Sequence, residues 1–379
     1  MKERSRRVQP IHDAHGGRVY EAARRWGIEP HQVLDFSANI NPHGPPRGVL
    51  SAISNALTPI SLRVYPDAHN FVSAIADKYR LMPDEIVVGS GAASLIFAVM
   101  HAFSPKRVLI LEPAFVEYSR AAAAVNAQKT TELLTEERGF TPDFESLVRA
   151  VKARQFDLVI LNSPHNPTGA LYSRDALVSL IQAAEEHNAA VLLDEAFIDY
   201  AQQESLVSLA ARKSNLIVLR SLTKFYAMPG LRLGYAVSNA KLAARIKSQI
   251  DPWSVSTVAL EAGCAALAED EFGTESSCRN TIACEEFAGA LRSLGLQVFP
   301  AAANFLLAKL PRSSGGDLQS WLESERILIR RCDSFHGLGD GYIRLAVRSC
   351  SDNLQLVSLI EKWSRKVSAS KEDEPSEAN

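Results

Sequence analysis

The chain has 379 residues, 46% of them hydrophobic and 22% charged, which excludes collagen-like, low-complexity and wholly disordered proteins. Lysine and arginine total 41 against 43 acidic residues, a formal net charge of -2, and that balance argues against a dedicated nucleic-acid binder. No apolar run approaches the ~18 residues a membrane helix needs, and at ~100–200 residues per domain the length predicts two domains or a large α/β unit with a smaller partner.

Met1–Arg7 is basic, but no apolar stretch follows it, so a signal peptide is not expected and a cytoplasmic protein is. An N-terminal arm, residues 1–45, is expected to pack with a small C-terminal domain. Pro42, Pro45 and Pro46 punctuate the passage into a large domain, residues 46–290. There, short apolar runs alternate with amphipathic stretches. They predict strands at Ile86–Gly89, Arg107–Leu111, Asp157–Asn162, Ala190–Asp194, Asn215–Ser221 and Leu233–Val237. Most lack strict alternation, as expected of strands buried on both faces. Helical patterns lie between, at Ala92–Phe103, Ser173–His187 and Ser205–Ala211. Such repetition implies a mostly parallel sheet covered by helices.

After residue 250 helices are expected over about 256–269 and 275–294. The small domain, residues 291–367, mixes strands near Ala303–Lys309, Ile327–Arg330 and Tyr342–Val347 with helices near 317–325 and 352–365. Residues 368–379, SASKEDEPSEAN, carry no large apolar side chain and read as a disordered tail. The five cysteines have no CxxC spacing and suit reduced structural thiols. The nine histidines show no paired metal spacing, so no metal is expected.

Ligands of parallel sheets gather at the carboxyl ends of the strands. Four predicted strand ends carry small or polar residues. Gly89-Ser90-Gly91-Ala92-Ala93 opens a helix, and its backbone N–H groups suit a phosphate, or it is a plain tight turn. Asn166-Pro167-Thr168-Gly169 is a turn that could offer Asn166 to a cofactor oxygen. Asp194 ends an apolar strand, where a carboxylate is costly unless it meets a cation or caps a turn. Lys224 follows Ser221 at another strand end, with Arg232 eight residues on. Desolvated, it would be a Schiff-base nucleophile beside a phosphate gripped by Ser221 and Arg232; solvated, it is a surface lysine. Together these residues meet the aldehyde, phosphate, ring nitrogen and ring oxygen of pyridoxal 5′-phosphate.

With those residues in place, the chain resembles the fold-type I pyridoxal-phosphate enzymes of the class I/II aminotransferase group over about residues 12–365. The pieces that carry the likeness are Ser163-Pro-His-Asn-Pro-Thr-Gly169, Asp194-Glu-Ala-Phe197 and Ser221-Leu-Thr-Lys224 with Arg232. His15-Gly-Gly-Arg-Val-Tyr-Glu-Ala-Ala23, Asp35-Phe-Ser-Ala-Asn-Ile-Asn-Pro42, Ile327-Leu-Ile-Arg-Arg-Cys332 and Tyr342-Ile-Arg-Leu-Ala-Val-Arg348 are similar to the threonine-phosphate decarboxylases of cobalamin biosynthesis, near the histidinol-phosphate aminotransferases. The resemblance implies an aspartate-aminotransferase-like α/β fold with a mostly parallel sheet plus a smaller α+β domain. It assigns Lys224 to the cofactor aldehyde, Asp194 to the ring nitrogen, Asn166 to the ring oxygen and Phe115 to stacking. Ser221, Arg232 and the backbone of Ala92 and Ala93 would hold the cofactor phosphate. Tyr65, in Arg63-Val-Tyr-Pro66, would reach the phosphate of a neighbouring subunit, which implies a homodimer with the site at its interface. His15, Gly16, Asn39, Asn166, Arg330 and Arg344 would bind a phosphorylated amino acid, with the arginines on its carboxylate and His15 on its phosphate.

One residue departs from the wider pattern. Many aminotransferases place a tyrosine where this chain has Phe197, so one hydrogen bond to the cofactor ring oxygen is lost. That departure leans towards decarboxylation of L-threonine O-3-phosphate. The alternative is transamination of histidinol phosphate or a related amino acid.

Overall fold

The structure, a computed structural model, describes residues 15–153, 155–311 and 315–372. Its strands in chain order are β1 (Leu34–Asp35), β2 (Ile86–Gly89), β3 (Arg107–Glu112), β4 (Gln128–Leu133), β5 (Leu158–Asn162), β6 (Ala190–Asp194), β7 (Leu216–Ser221), β8 (Gly234–Val237), β9 (Gln297–Val298), β10 (Phe305–Lys309), β11 (Ile327–Leu328), β12 (Arg330–Arg331) and β13 (Tyr342–Ala346). Seven of them form one sheet in the order β2-β8-β7-β6-β5-β3-β4. β3, β4, β5, β6 and β7 run parallel, while β8 is antiparallel to both β7 and β2. This is the α/β, aspartate-aminotransferase-like class, with a mostly parallel central sheet.

Burial explains why the central strands read as unbroken apolar runs. Leu109, Val159, Leu161, Val191, Leu193 and Val218 enter one apolar cluster. Their neighbours Val108, Leu158, Ile160, Leu192, Ile217 and Leu219 enter a second. Alternate residues point to opposite faces, so both faces are covered. β4 was not predicted. Its sequence, Gln-Lys-Thr-Thr-Glu-Leu, lies at the sheet edge and is half exposed, so it carries no buried-strand signature.

A second sheet, β12-β13-β10-β9, is antiparallel throughout. β1 pairs in parallel with β11, so Leu34 and Asp35 of the arm dock beside this sheet. The predicted strand Ile327–Arg330 is two strands, because β11 pairs with β1 while β12 turns to pair with β13. The small-domain core reaches back through Cys284, Phe287, Ala288 and Leu291 into the helix Asp270–Ser293, which starts earlier than expected. The last helix runs Cys350–Glu372 and so enters the segment read as a tail at residue 368. Residues 1–14 of the arm and 373–379 of the tail lie outside the described residues.

Candidate active site

The carboxyl ends of β5, β6 and β7 converge on a pair of adjoining cavities. The smaller, about 100 Å³, is lined by Ala92, Ala93, Tyr118, Asn162, Asp194, Ser221, Thr223, Lys224 and Arg232, among others. The larger, about 350 Å³, is lined by His15, Gly16, Asn39, Glu117, Arg330 and Arg344, among others. Phe115, Asn166, Phe197, Lys224 and Arg232 border both.

Local sequence sets each position. Gly91 has φ +82°, and a Cβ there would lie 2.8 Å from Arg232 Nη2. Only glycine lets the guanidinium lie against this turn, beside the N-terminus of the helix Ala92–Phe103. Ser221 ends β7, and its hydroxyl meets Thr223 Oγ1 at 2.8 Å. Asn41 N donates to the Lys224 carbonyl at 3.0 Å, which fixes the backbone that carries the lysine. Burial pushes the Lys224 amine down to about 8, helped by the guanidinium charges of Arg232 and Arg344.

Asp194 is buried at the end of β6. Its Oδ2 accepts from the Tyr118 hydroxyl at 2.7 Å, and Oδ1 accepts from Ala196 N at 2.9 Å. Burial raises its carboxyl despite those donors and the Lys224 charge. Asn162, level with Asp194 in the β5–β6 register, donates from Nδ2 to the Asp194 carbonyl at 2.7 Å. The same side chain accepts Asn166 N at 2.7 Å. Asn166 Oδ1 in turn accepts from Arg344 Nη1 at 2.5 Å.

Arg330 and Arg344 face each other across β12 and β13 and are both buried. Burial pushes Arg344 down to about 10, with Arg330 adding repulsion, so it stays cationic at neutral pH. Its Nε and the buried Oδ1 of Asn39 have no hydrogen-bond partner among the described residues. On the same cavity, His15 Nε2 donates to Glu117 Oε1 at 2.9 Å, and the His15 ring tilts against Phe115 at 5.7 Å.

All but one of the residues named from the sequence therefore border these cavities. Tyr65 does not line them in its own chain; it is 72% exposed and stacks on Trp253 at 4.1 Å. Tyr118, Asn162, Glu117 and Ser37 were missed. Two signals were available. Asn162 ends a predicted strand as Asp194 does, and Tyr118 lies one helical turn beyond Phe115.

Residues 31–362 match the family described as aminotransferase class I and II. The chain is 38% identical over 355 residues to the threonine-phosphate decarboxylase of Salmonella typhimurium, covering 92% of this chain and 96% of that one. It is 32% identical over 307 residues to a histidinol-phosphate aminotransferase of Mannheimia succiniciproducens, covering 79% and 81%. Among solved structures, the histidinol-phosphate aminotransferase from Clostridium acetobutylicum superposes with a TM-score of 0.82 at 31% identity, over 88% of this chain and all of that one.

Proposed function

The chain belongs to the aminotransferase class I and II family, and from that premise we propose that it decarboxylates L-threonine O-3-phosphate to (R)-1-amino-2-propanol O-2-phosphate and CO2, for the nucleotide loop of cobalamin. It is an enzyme, and its cofactor is pyridoxal 5′-phosphate. The residues fit that group. Asp194 is a buried carboxylate that makes no ion pair among the described residues, and a protonated ring nitrogen is the cation it lacks. Beside it lie a desolvated lysine and an arginine packed on a glycine turn.

When bound, the cofactor supplies an aldehyde for the substrate amine and an electron sink for the bond that breaks at Cα. Asp194 would keep the ring nitrogen protonated, and Tyr118 and Ala196 fix its two oxygens. Ser221, Arg232 and the N–H groups of Ala92 and Ala93 hold the phosphate at a helix N-terminus. Asn166 bonds the ring oxygen and Phe115 covers the ring. Lys224 would hold the aldehyde, and its desolvated amine would be the group that moves a proton at the substrate Cα. Arg330 and Arg344 grip the carboxylate, and His15, with Gly16 and Asn39 beside it, takes the phosphate. By fixing the carboxylate and the phosphate, these residues would choose whether the carboxylate or the Cα proton is the group lost.

The observation that carries the reading is that two buried arginines share one cavity with Lys224 and His15. That arrangement suits a small amine with a carboxylate and a phosphate; histidinol phosphate brings only one anionic group. Serine phosphate is the expected second substrate, since one methyl is worth ~1–3 kcal/mol of discrimination. The active form is a cytoplasmic homodimer, with Tyr65 serving the partner's cofactor phosphate. No helix among the described residues is long and apolar enough to cross a membrane.

The test is to incubate cofactor-loaded protein with threonine phosphate and no oxoacid. Matched release of CO2 and aminopropanol phosphate is expected. No CO2, with pyridoxamine phosphate accumulating when histidinol phosphate is supplied, would overturn the reading in favour of transamination.

A further inference from the structure

We propose that Ser37 is a positioning residue, fastening the arm that carries His15 and Gly16 to the point that also holds Arg344. It thereby sets the spacing between the two ends of the substrate site. The inference rests on the substrate reading above and names a residue that reading leaves without a role.

Ser37 sits where the backbone is held from two sides. Phe36 N donates to the Leu328 carbonyl at 2.8 Å, and Ala346 N donates to the Phe36 carbonyl at 2.9 Å. Ser37 follows directly, between the segments that carry Arg330 and Arg344. Its own groups are all engaged. Its N–H and its hydroxyl both donate to Asp35 Oδ1, at 2.8 and 2.6 Å. With the hydroxyl proton directed to that carboxylate, the oxygen is free to accept, and Gly17 N donates to it at 2.8 Å. The Ser37 carbonyl accepts from Arg344 Nη2 at 2.8 Å.

The arm meets Ser37 closely. A Cβ on Gly16 would lie 2.2 Å from the Ser37 carbonyl oxygen, so only glycine can pass there. The other end of this short stretch is tied to the large domain through His15 and Glu117. Glu117 is buried and takes two further bonds from Arg120 Nη1, at 2.7 and 2.9 Å. Residues 15–17 are thus pinned between Glu117 and Ser37. The serine side chain serves the phosphate end and its carbonyl serves the carboxylate end, which makes the two functions separable by mutation.

Ser37→Ala removes the hydroxyl and leaves the carbonyl with Arg344. In the holoenzyme, binding of threonine phosphate and of threonine is read from the visible spectrum of the bound cofactor, with no turnover needed. The preference for the phosphorylated ligand is expected to fall about fivefold, the effect of one lost hydrogen bond, with threonine affinity changed less than about twofold. The His15→Ala, Ser37→Ala double variant should lose no more preference than His15→Ala alone. Glu117→Gln, which loosens the arm at its other end, should lower the same ratio and stands in if Ser37→Ala does not fold. Equal weakening of both ligands, or additive losses in the double variant, would overturn the inference. Wild-type preference that survives in Ser37→Ala and Glu117→Gln would overturn it while leaving the substrate reading intact. A wild type with no preference for the phosphorylated ligand would overturn both.

Discussion

Lys224 is the residue whose chemistry its surroundings change most usefully. With its amine held down to about 8, about one in ten molecules carries the neutral nucleophile at pH 7. At the ordinary lysine value it would be about one in 3,000. The sign follows from burial, which penalises the ammonium and not the amine. Recombination of apoenzyme with pyridoxal 5′-phosphate should therefore quicken from pH 6 to about 8 and level off above it, followed by visible absorbance. A rate still rising steeply at pH 10 would contradict it. Lys224, Asp194, Ser221 and Asn166 were legible because each ends or follows a buried strand, where a polar residue is conspicuous. Ser37, Glu117 and Tyr118 were not, because serine, glutamate and tyrosine in a loop and an amphipathic helix are ordinary. Their roles lie in bonds to residues 20, 102 and 76 positions away. Phe197 shows what its missing hydroxyl leaves behind. It is buried and packs edge-on against Phe305 at 5.0 Å, and Arg344 lies over that same ring.

The elements place these residues only if β6 and β7 end level with each other, and a buried ionic cluster joins them there. Glu195 follows Asp194, and Arg220 precedes Ser221. Arg220 Nη2 donates to Asp199 Oδ1 at 2.6 Å, and Nη1 lies 3.7 Å from Glu195 Oε2. Glu195 also accepts from the Ser205 hydroxyl at 2.5 Å and from Leu206 N at 2.7 Å. Burial pushes Glu195 up to about 7 against the pull of Arg220 and these donors. Burial alone would lower Arg220, but Asp199, the tyrosines at 79 and 235 and Glu195 outweigh it and raise it. Removing Arg220 takes away the cation that the buried Glu195 and Asp199 carboxylates share. Arg220→Met should thus cost about 3–5 kcal/mol of stability, read as a fall in Tm. An unchanged Tm would mean the cluster adds nothing to the junction of the two strands. The strands themselves were legible from their apolar runs, and their turns from glycine and proline. β4 was not, since it is a half-exposed edge strand, and the helices Arg47–Ala56 and His69–Tyr79 lie before the first predicted strand, outside the strand–helix repetition.

At the scale of the whole molecule, the described residues of one chain leave an apolar surface uncovered. Leu50, Leu57, Ile60, Leu62, Val64 and Tyr65 are exposed along one stretch, with Leu62 at 76%, and Trp253 joins them by stacking on Tyr65. Scattered exposed apolar residues are ordinary, but a run of this kind marks a contact surface. A second copy of the chain, as proposed above, is the occupant that would also give Tyr65 a role, since it lies away from its own cavities. Two variants separate the surface from the site. Leu62→Asp puts a charge on a side chain that is 76% exposed, so the monomer should still fold. It should sediment at half the wild-type mass and bind pyridoxal 5′-phosphate more weakly. Tyr65→Phe keeps the apolar ring and removes only the hydroxyl, so it should stay dimeric and lose about fivefold in cofactor affinity, the effect of one hydrogen bond. If Leu62→Asp keeps the wild-type mass, the interface lies elsewhere. If it becomes a monomer with undiminished cofactor affinity, each chain holds a complete site and Tyr65 serves only as part of the contact.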